Sequence, residues 1–239
     1  MVSYRTKLQR RGTLLTALLF LGAAILFAMT LKNLQTRPAN ASVRTSFQLV
    51  IDPGHGGIDG GAIGFDGTKE SDINLSIAIR LRDLADFLGL HPTMTRSDDS
   101  KRTDILSYSE HEELVYRAQI ANAVPGAALI SIHQNSYPTS QPSGAQVLYA
   151  RNEPSRLWGE LTHDSIVRYL QTGNRRVAEP ADKRLYLTAN VRGPTILVEC
   201  GFMSNPFDLE QLQDGSYQTS LAAVLLSAFC RFSTSGEKT

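Results

Sequence analysis

Two histidines and a glutamate stand where short apolar runs end: His55 follows FQLVIDPG, His133 closes ALISIH, and Glu199 closes PTILVE. Each run reads as a buried strand, and in sheets that alternate with helices, ligands bind beyond the carboxyl ends of the strands. A second carboxylate, Glu70, opens a helical segment just after the glycine-rich stretch HGGIDGGAIGFDG. Imidazoles and carboxylates converging at a sheet edge match a catalytic zinc site, which takes three protein ligands and keeps a position for water. Zn2+ there lowers the pKa of water toward about 7 and polarises a carbonyl oxygen, chemistry that hydrolyses amides without a covalent intermediate. On this reading His55, Glu70 and His133 are the ligands, and Glu199 stays unligated as general base and acid. Glu199 ends an apolar run, where a carboxylate is costly to bury unless something pairs with it.

Each residue alone has a plainer reading. A single His after a strand is a loop residue, and Glu70 suits a helix N-terminus through the dipole; joint placement at three strand ends favours the site. Of the competing carboxylates, Asp52 reads as a brace for the loop, and Asp59, before Gly60, as a turn residue. His91 opens a strand, His111 lies beside Glu110, Glu112 and Glu113 at a charged helix start, and His163 sits in a helix with charged neighbours; none reads as a ligand. Trp158, the one tryptophan, sits between Leu157 and Leu161 and reads as core packing rather than a platform for sugar.

The elements that must position these residues follow from periodicity. Strands are expected at Phe47–Asp52, His91–Arg96, Ala128–His133, Ala145–Ala150, Lys183–Thr188 and Pro194–Glu199, and helices at Ser71–Leu88, Glu110–Val124, Arg156–Leu170 and Tyr217–Phe232. Such alternation predicts an α/β sheet covered by helices on both faces.

The 239 residues carry 24 basic and 23 acidic side chains, a net charge of +1 that hides an asymmetry. Residues 1–44 hold seven basic residues and no acidic one, so 17 basic and 23 acidic residues remain and the rest of the chain sums to −6. An acidic body makes nucleic acid an unsuitable partner. Residues 1–11 read as a basic cytoplasmic head. Residues 12–31 hold no charge, and 20 helical residues rise about 30 Å, enough to span a bilayer. Basic residues before the span place everything after it outside the cytoplasm. A retained anchor is favoured over a signal peptide cleaved near Ala39-Asn40-Ala41, because the apolar stretch is longer than an ordinary signal core of about 7 to 15 residues. Residues 32–45 read as a tether, 46–232 as the catalytic domain and 233–239 as a polar tail. Cys200 and Cys230 sit in apolar segments and read as buried free thiols, with a bridge between them as the alternative.

The runs LVIDPGHGGIDGGAIG, ESDINL, SIHQNS and ILVECGFMSNPFDLEQL, in this order and at these separations, resemble the zinc-dependent N-acetylmuramoyl-L-alanine amidases of bacterial cell walls. The resemblance covers about residues 46–232. It implies a single α/β domain with a mixed, mostly parallel sheet of about six strands flanked by helices. It also implies cleavage of the amide joining the lactyl group of N-acetylmuramic acid to the first L-alanine of the stem peptide, so the partners are the glycan strands and stem peptides of peptidoglycan. By position, His55, Glu70 and His133 match the family's zinc ligands and Glu199 its catalytic carboxylate; Asn135 and Ser136 fall where the family's pocket wall lies. Some members carry an inserted helix that plugs the site, and only Asn152–Lys183 has room for one; Glu179 and Asp182 there read as solvent-facing. The short anchored plan looks most like amidases of spore-forming bacteria that prepare cortex peptidoglycan, with a vegetative amidase as the competing assignment. A regulatory protein partner is also open. Two alternatives from other classes are a catalytically silent wall- or partner-binding protein of this fold, and a zinc peptidase acting within the stem peptide.

Overall fold

The computed structural model describes residues 45–99 and 109–235; the expected head, membrane segment, nearly all of the tether and most of the tail lie outside the described residues. Among the described residues, no helix is long and apolar enough to cross a membrane. Leu49, Val50 and Ile51 are bulky and apolar, and they form the centre of β1 (Gln48–Pro53), a strand buried on both faces. The chain continues through α1 (Glu70–Phe87), β2 (Thr93–Met94), α2 (Glu110–Ala123), β3 (Ala127–Asn135), β4 (Gln146–Tyr149), α3 (Glu153–Tyr169), β5 (Glu179–Pro180), α4 (Tyr186–Asn190), β6 (Thr195–Phe202), α5 (Pro206–Gln213) and α6 (Gly215–Ser235).

One six-stranded sheet has the order β2-β1-β3-β6-β4-β5. The pairs β1·β2, β1·β3 and β3·β6 are parallel, while β4 runs antiparallel to β6. The sheet is therefore mixed and mostly parallel, as expected. After β1 the chain moves outward to β2, then returns to place β3 on the other side of β1. That reversal opens a crevice between the carboxyl ends of β1 and β3, where ligands bind in such sheets.

Side chains alternate across the strands, so each strand serves two layers. Ile51, Ile130, Ile132, Ile196 and Val198 pack with Ile77 and Leu81 of α1, Trp158 and Ile166 of α3, and Leu225 and Phe229 of α6. On the opposite face Val50 and Leu129 pack with Ala118 and Ala121 of α2 and with Leu187 and Val191 at α4.

Two expectations fail here. Lys183–Thr188 is not a strand: Leu185 and Leu187 alternate, but the spacing that packs is Leu187 to Val191, one helical turn, against α2. The sixth strand is instead the short pair Glu179–Pro180 on β4. The helix α5 has no counterpart among the expected elements, although its signals are local: Asn205 accepts from the backbone N–H groups of Phe207 and Asp208, and Pro206 occupies the first turn. No helix from Asn152–Lys183 plugs the site. α3 packs on α6, Glu179 is exposed and bonded by Gln146, and Asp182 is exposed and paired with Arg184. Both cysteines are free; Cys200 is buried and Cys230 half-buried.

Trp158 is 0% exposed, stacks on Phe232 and meets Phe229 edge-on, which excludes it from the surface. Trp158→Ala should lower unfolding free energy by about 3–5 kcal/mol in a urea titration, and Trp158→Phe should recover most of that loss.

Candidate active site

His55 sits in the loop that leaves β1, Glu70 in the first turn of α1, and His133 near the end of β3. Among the described residues these three form a group whose ligand atoms all lie within 4.8 Å of one another. The meeting point is Glu70 Oε1, at 3.3 Å from His55 Nε2 and 3.1 Å from His133 Nδ1. Glu70 is 3% exposed. Its Oε1 also accepts from the Gln134 backbone N–H and from Asn74 Nδ2, and its Oε2 accepts from the Ala62 N–H. Glu199 is the in-register partner of His133 on the neighbouring parallel strand, so both side chains leave the same face of the sheet. Glu199 Oε2 is sealed from solvent and has no hydrogen-bond partner.

Glycines make this packing possible. A Cβ on Gly54 would lie 2.3 Å from the His133 ring, and one on Gly61, at φ +66°, would lie 2.6 Å from Glu70 Oε2 and 2.8 Å from the His55 ring. The glycine-rich loop is thus the surface against which all three donors press.

The electrostatics divide the two carboxylates. Burial disfavours the Glu70 charge, but the hydrogen bonds and positive charge of His133 and His55 overcome it and hold Glu70 well below the usual carboxylate range. Burial pushes Glu199 up; His133 opposes this and the Glu70 charge adds to it. Burial also opposes a charge on His55, yet Glu70 and Asp59 prevail and raise it from 6.5 to about 9.

These donors fit a cation. Asp59 Oδ2 lies 2.9 Å from His55 Nδ1 and directs Nε2 at Glu70. His55 Nε2 and His133 Nδ1 therefore both face one carboxylate oxygen, where a bare lone pair would be repelled; a proton on each, or one metal ion among all three, resolves the clash. The backing of a ligand histidine by a carboxylate is the usual arrangement around metals. Asp59 is therefore more than the turn residue expected, although it also accepts from the Gly61 N–H within that turn. Asp52 is a brace, as expected: its buried carboxylate accepts from Thr95, Ser131 and Arg117.

The cavity beside this group is about 300 Å³ and is walled by Glu113, Leu114 and Arg117 of α2 and by Leu185, Tyr186 and Leu187 at α4, with His133 and Glu199 on its floor. Asn135 and Ser136 do not line it. The Asn135 side chain caps the Ser136 N–H, and its carbonyl receives the Met203 N–H. His91, His111 and His163 stand apart: His91 meets Asp86, His111 meets the Tyr186 ring, and His163 is buried in α3.

Residues 49–230 match the family model for N-acetylmuramoyl-L-alanine amidase (Amidase_3). The chain belongs to this family. The amidase is 32% identical over 197 residues to the germination-specific N-acetylmuramoyl-L-alanine amidase of Bacillus subtilis, covering 78% of this chain and 79% of that one. It is 31% identical over 182 residues to the amidase LytC of the same organism, covering 74% of this chain and 34% of LytC. Among solved structures, the CwlD amidase of Clostridioides difficile, determined in complex with the GerS lipoprotein, superposes with a TM-score of 0.74 at 30% identity, covering 78% of this chain and 98% of CwlD. The chain is a peptidoglycan amidase.

Two outcomes follow from this geometry. Gly54→Ala should displace the His133 ring and abolish turnover while the protein still melts cooperatively, as activity and calorimetry together would show. With no metal bound, the raised His55 pKa favours the native state in its protonated form, so that stabilisation is complete below about pH 6.5 and lost as pH rises through about 9. The difference in melting temperature between the unmodified protein and His55→Ala should shrink across that window.

Proposed function

We propose that the amidase cleaves the bond between the lactyl carbonyl of N-acetylmuramic acid and the stem-peptide L-alanine, with one Zn2+ held by His55, Glu70 and His133. The observation that carries this reading is the convergence of those three donors within 4.8 Å, with the unpartnered Glu199 oxygen one strand away. When bound, zinc supplies a Lewis acid that polarises the scissile carbonyl and lowers the pKa of water. Glu199 takes a proton from the attacking water as the water oxygen adds to the carbonyl carbon. It returns that proton to the amide nitrogen as the C–N bond breaks, so the lactyl group leaves as a carboxylic acid and alanine as an amine. The upward shift of the Glu199 pKa by burial suits the donating half of this cycle. Asp59 holds the His55 ring in orientation through Nδ1, and Leu114, Leu185 and Leu187 make the apolar side of the cleft in which the stem peptide lies.

The spore cortex is the proposed substrate within peptidoglycan, supported by the germination-specific relative and by CwlD. A protein partner is proposed on the ground that CwlD was solved with a lipoprotein. The proposed location is the outer face of the cytoplasmic membrane, with residues 12–31 as anchor, supported by their apolar composition and the basic residues before them.

Mass spectrometry of digested peptidoglycan should find released stem peptides with a free L-alanine amine; cuts within the stem instead would sink the bond assignment. A chelator should abolish turnover and Zn2+ restore it. Glu199→Gln should keep zinc content near normal while turnover falls by about 10² to 10⁴; loss of zinc would make Glu199 a ligand instead.

A further inference from the structure

The loop that carries His55 is held in an unfavourable shape. His55 has φ 59°, and Gly56 and Gly57 follow at 130° and 59°. Glycine enters that region freely, but a side chain such as that of His55 crowds the neighbouring carbonyl there. Something must hold this turn, and the carbonyls just before and within it show what does.

Arg96 donates from Nε to Pro53 O at 2.9 Å and from Nη2 to Gly54 O at 3.0 Å. Arg117 donates from Nη1 to Pro53 O at 2.7 Å and from Nη2 to His55 O at 2.6 Å. Two guanidinium forks thus take three consecutive carbonyl oxygens. Both side chains are buried, and burying two cations is costly unless their donors are filled. Arg117 is filled by Asp52 Oδ1 and Glu113 Oε1, and Arg96 by the carbonyl of Asp98. The remaining bond is the informative one: Arg96 Nη2 also donates to Ser71 O at 3.0 Å, the residue after Glu70. One fork therefore ties the backbone under His55 to the backbone beside Glu70.

We propose that Arg96 and Arg117 are positioning residues that set the approach of His55 to Glu70 and thereby the affinity of the site for its metal. This rests on the metal-site reading of the preceding section. Lysine in their place keeps the charge and loses the fork, so it cannot span two carbonyls with fixed geometry.

The test is zinc affinity of the full chain in detergent, measured by competition with a chelating indicator, together with the visible absorption of the Co2+-loaded protein. Arg117→Lys and Arg96→Lys should each weaken zinc binding by about 10- to 100-fold and shift the Co2+ bands. Leu225→Ala, a core change in α6 remote from the loop, should lower the melting temperature and leave zinc affinity unchanged, which separates positioning from general destabilisation. In a His55→Ala background, where the ligand is gone, Arg117→Lys should change affinity by no more than about 2-fold. Unchanged zinc affinity in both lysine variants overturns the proposal, as does the same loss with and without His55. If Arg117→Lys does not fold, Arg96→Lys decides by the same criteria. A complete lack of zinc binding by the unmodified chain overturns the metal site itself, and the positioning role with it.

Discussion

One oxygen atom organises this molecule. Glu70 Oε1 has His55 Nε2, His133 Nδ1, the Gln134 N–H and Asn74 Nδ2 within 3.3 Å. A carboxylate that is 3% exposed survives as an anion only where positive charge and donors surround it, and those groups come from the loop after β1, from α1 and from β3. Assembling the donors and closing the sheet edge are therefore the same event. Asn74 shows the economy of this: its amide also binds Gly54 O, and its Oδ1 accepts from Gln134 Nε2, so one side chain joins all three elements.

Topology supplies the place for that event. Because the chain reverses its direction of travel across the sheet at β1, α1 covers one face and α2 the other, and the gap between β1 and β3 stays open at its carboxyl end. Strand alternation then separates stability from chemistry. Ile130 and Ile132 point into the larger core, while Ser131 and His133 turn to the cleft beside Leu197 and Glu199. On that face of β3 and β6 a cavity walled by α2 and α4 leaves room for His133 and Glu199.

The surroundings push the two carboxylates of the site in opposite directions. Glu70, ringed by donors and imidazoles, is held in its charged form; Glu199, with an oxygen that nothing satisfies, is pushed toward its neutral form by burial and by Glu70 itself. Environments that drive two acids apart suit one to hold charge and the other to move protons, which is the ground for the role proposed for Glu199. The acidic balance of the body, −6 over residues 45–239, adds no attraction to an anionic wall.

Much of this was legible in the residues. Apolar runs ending in His133 and Glu199, a glycine-rich loop after His55, and Glu70 at a helix start are local patterns, and they specify most of the element types and the candidate donors. Trp158 read correctly as core because its helical neighbours are apolar. What stayed hidden has a common cause. The Lys183–Thr188 segment alternates like a strand, but a turn and the start of the helix Tyr186–Asn190 replace it, with Leu187 and Val191 packed against α2. Asn135 and Ser136 follow His133 closely in sequence, yet neither lines the cavity, and the Asn135 side chain accepts from the Ser136 N–H. Asp59 looks like any turn aspartate until the loop folds it onto His55. Arg96 and Arg117 reach carbonyls 42 to 64 residues earlier in the chain, a relation that no local pattern encodes. Sequence by itself determined which side chains are available and which apolar runs lead into them, because hydrophobic periodicity is a short-range property. Only the tertiary structure decided which faces they point to, which oxygens the buried arginines fill and which carboxylate keeps its charge, because burial and hydrogen-bond satisfaction are set by groups brought together from distant parts of the chain.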